Sequence, residues 1–172
     1  MKALRLMRWG HPAELSETAV PSPGPGQVLI RVAGVGACHS DLHLMEWPEG
    51  LFPWQLPFTL GHETAGWIAE LGAGVSGFAK GDPVLVYGSW GCGACRTCRL
   101  GRENYCEHPL PAMGGGLGLD GGMAEYMLVP SARLLVPLGA LDPVQAAPLA
   151  DAGLTPYAAI AGSRAHLPPG AK

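Results

Sequence analysis

The chain predicts a mostly β domain, and three observations predict it. Glycine and proline number 26 and 17 in 172 residues, together a quarter of the chain. They stand between short apolar runs, as Pro21-Ser22-Pro23-Gly24-Pro25-Gly26 does before Val28 to Val35, and so read as turns between strands and not as low complexity. Hydrophobic residues make up 48% and charged residues 15%, which suits one packed core in a chain too short for two ordinary domains.

Taken in order, Lys2 to Arg8 and Gln27 to Ala37 read as strands, and a turn-rich stretch leads to a third apolar run, Ala65 to Leu71. Val84 to Tyr87 and Met123 to Val129 read as further strands. The pattern then turns helical. Asp142 as N-cap with Pro143 at the first helical position opens a short helix, and Thr155 with Pro156 repeats the device, which places Asp151-Ala152-Gly153 at a helix break.

A net charge of -3 without a Lys/Arg block offers no footprint for nucleic acid or an anionic membrane, so small-molecule chemistry is expected. No apolar run reaches the roughly 18 to 20 residues of a membrane span, and Met1 to Gly10 lacks the regions of a signal peptide. The cytoplasm is the expected location. Five cysteines, four of them between Cys92 and Cys106, suit reduced thiols held for metal better than a disulfide framework. His11, His108 and His166 read as surface residues.

Gly88 to Gly122 has almost no apolar periodicity and needs something other than packing to hold it. Within it, Cys92-x2-Cys95-x2-Cys98-x7-Cys106 puts four thiols in fifteen residues. Four thiolates suit a tetrahedral, structural zinc whose binding supplies folding free energy. A redox pair and an iron-sulfur cluster are the competing readings.

A second constellation is dispersed. Cys38-His39-Ser40-Asp41-Leu42-His43 follows the second strand and Gly61-His62-Glu63 precedes the third, so Cys38 and His62 are expected at one mouth, with Asp151 as a third zinc ligand and a fourth position open. Residue by residue, Cys38 also reads as a core thiol, His62 as a satisfied histidine and Asp151 as a cap.

At these residues the sequence resembles the zinc-dependent medium-chain alcohol dehydrogenase family, nearest its bacterial secondary-alcohol and broad-range members. The family signature Gly-His-Glu-x2-Gly-x5-Gly-x2-Val is matched by Gly61-His62-Glu63, Gly66, Gly72 and Val75. The cysteine lobe matches the structural-zinc spacing, Cys38 to Asp41 matches the first catalytic ligand segment, and the likeness runs from Met1 to about Ile160. In many relatives a cysteine stands where Asp151 stands here. The exchange keeps the ligand charge and brings a harder donor.

The resemblance implies a GroES-like, partly open β-barrel over residues 1–160, with short helices and a zinc-bound lobe at 88–122. It implies two zinc ions per chain, one structural at Cys92, Cys95, Cys98 and Cys106, and one catalytic at Cys38, His62 and Asp151, with Glu63 beside the latter. Asp41 is implied to orient His62. Ser40 passes the substrate proton outward and His43 delivers it to solvent. His39 meets the cofactor pyrophosphate. Trp54 and Trp90 are expected at an apolar substrate pocket. The implied reaction interconverts alcohols with aldehydes or ketones using NAD(P), in a homo-oligomeric enzyme. A non-enzymatic zinc module on the same fold is the alternative, and Ser40, His43 and Glu63 count against it.

No cofactor turn is expected within the chain. Gly116-Leu117-Gly118-Leu119-Asp120-Gly121 matches the dinucleotide-binding string, but no apolar strand precedes it and a strand, not a helix, follows. By the resemblance, residues 161–172 begin a linker toward a nucleotide-binding domain, and the 172 residues alone are expected to be inactive.

Overall fold

The computed structural model describes residues 1–108 and 112–166. The turn-bounded apolar runs become β1 (Lys2–Leu6), β3 (Val28–Gly36) and β9 (Tyr126–Val129), shorter than their patterns, β6 (Pro83–Val86), shifted by one residue, and β5 (Glu63–Leu71), extended at its start; β2 (Glu14–Glu17), β4 (Phe58–Thr59), β7 (Gly114–Gly115), β8 (Gly118–Leu119) and β10 (Leu135–Pro137) had no such pattern. An antiparallel sheet of order β10-β6-β5-β3-β9 carries the main core. Val28 and Ile30, Val84 and Val86, and Met127 and Val129 meet Ile68 on one face, the two-residue period of strands half-buried against a core. A second sheet, β2-β1-β4, joins the first where Leu4 N–H donates to Met123 O and Ala3 bridges Ala124. The sheets wrap around the interior without closing, as the GroES-like expectation required.

The register of β3 against β5 positions the chemistry. Gly36 pairs with Glu63, so the residues just beyond the two strand ends, Cys38 and His62, emerge together. Only glycine fits at 36, since a Cβ there would lie 1.9 Å from Glu63 Oε2. Gly61 holds φ +93°, and a Cβ on it would strike Met123 and Val35 at 2.7 Å. Two of the glycines around the His-Glu pair are therefore packing requirements of this corner.

Four short helices complete the fold: α1 (His39–Glu46), α2 (Arg96–Arg99), α3 (Pro143–Ala146) and α4 (Leu154–Ser163). Helix α1 carries no clear apolar period, and the sequence pattern passed over it. It forms because Asp41, at its third position, accepts from the Cys38 backbone N–H at 3.0 Å, while Asp41 and Leu44 turn inward together at helical spacing. Asp142 caps α3 as expected, accepting from Val144 N–H at 3.0 Å. The second predicted cap is corrected: α4 begins at Leu154 after Gly153, and Thr155 lies inside it with its hydroxyl donated back to Asp151. The 3-10 turn Ala147–Ala150 buries Ala147 and Ala150 against β5 and delivers Asp151 to the corner.

Helix α4 runs to Ser163 and a 3-10 turn continues to His166, so the first residues of the expected linker are helical; 167–172 lie outside the described residues. The string Gly116 to Gly121 turns out of β7, contains β8, and is followed by the strand β9. Among the described residues no helix is long and apolar enough to cross a membrane. His11, His108 and His166 are exposed.

Candidate metal centres

At the corner where β3, β5 and the 3-10 turn meet, ligand atoms of Cys38, His62, Glu63 and Asp151 all lie within 4.8 Å of one another. His62 Nε2 stands 3.6 Å from Asp151 Oδ2, and Cys38 Sγ stands 3.9 Å from the same oxygen, across a sequence separation of 113 residues. The other ring nitrogen, Nδ1, faces Asp41 Oδ1 at 3.6 Å, and both atoms are buried without another partner. His62 is thereby aimed, with one nitrogen toward a carboxylate behind it and the other toward the cluster.

The electrostatics fit a cation. The Asp41 carboxylate facing Nδ1, reinforced by the Cys38 thiol, raises the His62 pKa to about 9 against the opposing effect of burial. Ser40 draws the Cys38 thiol below its ordinary value through side-chain and backbone hydrogen bonds. Burial pushes Glu63 up, with Asp151 and Asp41 adding like charge, although Ala152 N–H donates to Glu63 Oε1 at 3.2 Å. A thiol and two carboxyl groups gathered in one corner need positive charge there to ionise together. A divalent ion supplies it, and sulfur, nitrogen and oxygen donors suit zinc.

The cluster borders a cavity of about 340 Å³ whose walls include Ser40, His62 and Asp151 on one side and Trp47, Phe52 and Trp54 on another. Ser40 Oγ lies 3.5 Å from His62 Nε2. His39 and His43 are exposed on α1 with ring centroids 4.5 Å apart. Of the two expected pocket tryptophans, Trp54 lines this cavity and Trp90 does not. Trp90 is 7% exposed in the main core, with its indole N–H donated to Tyr87 O at 2.6 Å. Trp47 and Phe52 were missed; their place in a proline- and glycine-rich stretch gave no periodicity from which to orient them.

The other cluster is local. Sulfur atoms of Cys92, Cys95, Cys98 and Cys106 lie within 4.8 Å of one another, and all four cysteines are free. Backbone N–H groups already point at the sulfurs: Cys95 N at Cys92 Sγ (3.3 Å), Cys98 N at Cys95 Sγ (3.4 Å) and Cys92 N at Cys106 Sγ (3.3 Å). The Cys98 N–H draws Cys95 down to about 6, while burial pushes Cys98 up to about 12. Four thiolates cannot share this volume without a cation, so the donor set fits a closed zinc site.

The lobe is fastened to the body by Arg133, which donates to Gly91 O at 2.6 Å and to the Glu103 carboxylate, while Glu103 accepts from Gly91 N–H at 2.8 Å. Arg133→Ala strips the half-buried Glu103 of its cation and frees Gly91 beside the first ligand. Zinc release from the lobe to a chromogenic chelator is expected to quicken roughly tenfold. An unchanged rate would show that the clamp contributes nothing to the lobe.

Residues 24–140 match the family described as the alcohol dehydrogenase GroES-like domain. The chain belongs to the zinc-type medium-chain alcohol dehydrogenase family. Among the relatives of this GroES-like domain, D-arabinose 1-dehydrogenase (NADP(+)) of Saccharolobus solfataricus is 43% identical over 159 residues, 92% of this chain and 44% of that protein. The solved alcohol dehydrogenase of the archaeon Aeropyrum pernix superposes with a TM-score of 0.88 at 39% identity, over 99% of this chain and 50% of that one. A cobalt- and zinc-bound thermostable alcohol dehydrogenase of Pyrobaculum aerophilum superposes with a TM-score of 0.81 at 36% identity, over 91% and 46%. These three relatives are archaeal, where the sequence motifs pointed toward bacterial members. The chain spans about half the length of the relatives it matches.

Proposed function

We propose that the chain is the zinc-binding, substrate-handling part of an NAD(P)-dependent alcohol dehydrogenase that interconverts alcohols with aldehydes or ketones. The observation that carries this is the convergence of Cys38, His62, Glu63 and Asp151 beside an aromatic-lined cavity. Cys38, His62 and Asp151 would hold one zinc, with Glu63 as a neighbouring carboxylate, and the four-cysteine lobe would hold a second. Residues 1–160 form the functional unit, with 88–122 as the lobe. Five unpaired cysteines suit a reducing compartment, the cytoplasm.

When bound, zinc supplies Lewis-acid polarisation of the substrate oxygen and NAD(P) supplies the hydride acceptor. The chain's own residues do the rest. Cys38 and Asp151 bring about two negative charges to the centre, so a developing negative oxygen meets no net repulsion from an ion and its ligands. Asp41 holds His62 with Nε2 toward the cluster. Ser40, 3.5 Å from that nitrogen, would relay the substrate hydroxyl proton at the polar end of the cavity, taking it up as its own hydroxyl proton passes outward. His43 lies three residues further on, exposed, and returns the proton to solvent. His39, exposed at the start of α1, is placed to meet cofactor phosphate. A purely structural zinc module has no use for a hydroxyl beside the ligand imidazole or for a cavity at the metal.

Cobalt substitution tests this reading. The chain is expected to take up two cobalt ions, and a simple alcohol such as ethanol should perturb the visible bands of one of them only. Uptake of a single ion, or two ions both indifferent to alcohols, would refute it.

A further inference from the structure

The cavity beside the dispersed centre has a sharply divided wall. Its polar side chains Ser40, His62, Asp151 and Thr155 form one connected group: Ser40 contacts His62 at 3.5 Å, His62 lies 3.6 Å from Asp151, and Thr155 donates to Asp151. Apart from Ser89 and the indole N–H groups of Trp47 and Trp54, the remaining lining side chains are apolar. Phe52 stacks on Trp54 with centroids 4.4 Å apart and planes 20° from parallel, and Trp47 packs on Phe52 at 4.9 Å. Trp9 and Phe58 buttress Trp54 from behind at 6.5 and 6.1 Å. The aromatic wall is therefore a fixed surface, each ring held by another, and Met113, Leu117 and Leu154 complete the apolar lining.

We infer that the substrate is an alcohol or carbonyl compound with one oxygen function and a flat apolar body, an aryl carbinol or aryl ketone, and not a polyhydroxylated sugar. This rests on the dehydrogenase reading of the same site and narrows it. One substrate oxygen finds all the polar partners the connected group offers. An aryl ring gains offset-stacked or edge contacts on Phe52 and Trp47, and 340 Å³ is ample for it. A pentose brings several further hydroxyls to a wall whose side chains offer Ser89 and two indole N–H donors to receive them, and each one buried without a partner costs roughly tenfold in affinity. Identity points elsewhere, since a relative at 43% is a D-arabinose dehydrogenase. Specificity follows the few side chains of the wall, which overall identity does not weigh.

The test uses the cobalt-substituted 172-residue chain, with benzyl alcohol and D-arabinose as probes read through the visible bands of the cysteine-histidine-aspartate centre. Benzyl alcohol is expected to shift those bands saturably, and D-arabinose to leave them unchanged at the same concentrations. Phe52→Ala should weaken the benzyl alcohol effect about three- to tenfold while two cobalt ions are still bound. Trp47→Ala serves in its place if the first variant loses metal. An equal or stronger response to D-arabinose, or aryl binding untouched by loss of the ring, overturns the substrate class and leaves the dehydrogenase reading standing. No response to either probe, or to ethanol, overturns both.

Discussion

Cys95→Ser is expected to lower the metal content by one ion per chain and to open residues 88–122 to protease. The substitution isolates the ligand. Cys95 is the N-cap of α2, where its sulfur accepts from Cys98 N–H, and serine is among the best residues for that task, so local capping survives. What is lost is one of four donors to an ion that replaces the lobe's missing core. Closed zinc sites of this kind contribute on the order of 10 kcal/mol or more to folding, and three ligands with a water retain only part of that. Arg96, Arg99 and Arg102 provide tryptic sites inside the segment. Limited proteolysis with metal analysis reads both effects, and a variant with two metals and wild-type resistance would show that the lobe folds without zinc. The main sheet, with its own core of Val28, Ile30, Ile68 and Val84, is expected to remain folded.

His62→Gln is expected to abolish metal binding at the other centre and spare the lobe. Glutamine keeps comparable bulk in a site that is almost fully buried, so the core around Thr64 and Leu60 is little disturbed. It lacks the imidazole nitrogen, and the remaining donors are one thiolate and carboxylates. Affinity at this centre should fall on the order of a hundredfold or more, while Asp41→Asn, which only loosens the aim of the ring, should cost about ten- to a hundredfold. Titration with cobalt and a competing chelator orders the two variants. Equal affinity in His62→Gln and the wild-type chain would mean that His62 is a buried structural histidine.

The contrast between the two centres explains what was legible in the sequence. Four thiols within fifteen residues describe their own geometry, because a chain that short, freed by Gly91 and Gly93, has few ways to wrap other than around an ion. The strands β1, β3, β5, β6 and β9 were legible for the same reason: turn residues and apolar runs are local signals. For the dispersed centre the residue types were legible and the ligand set was named, yet the meeting of Cys38 and Asp151 across 113 residues depends on the Gly36–Glu63 register and on the docking of Ala147 and Ala150 against β5.

Local chemistry in the sequence therefore determined the zinc-suited cluster of four thiols and the β-rich class of this protein. Tertiary structure alone decided which rings line the cavity beside the dispersed cluster. Trp90, beside the cysteine lobe, turned into the core, where its indole N–H reaches Tyr87 O, while Trp47 and Phe52 became the wall. A tryptophan in a turn-rich stretch carries the same hydrophobic drive in any direction. The direction it takes is set by which partners the distant strands leave uncovered.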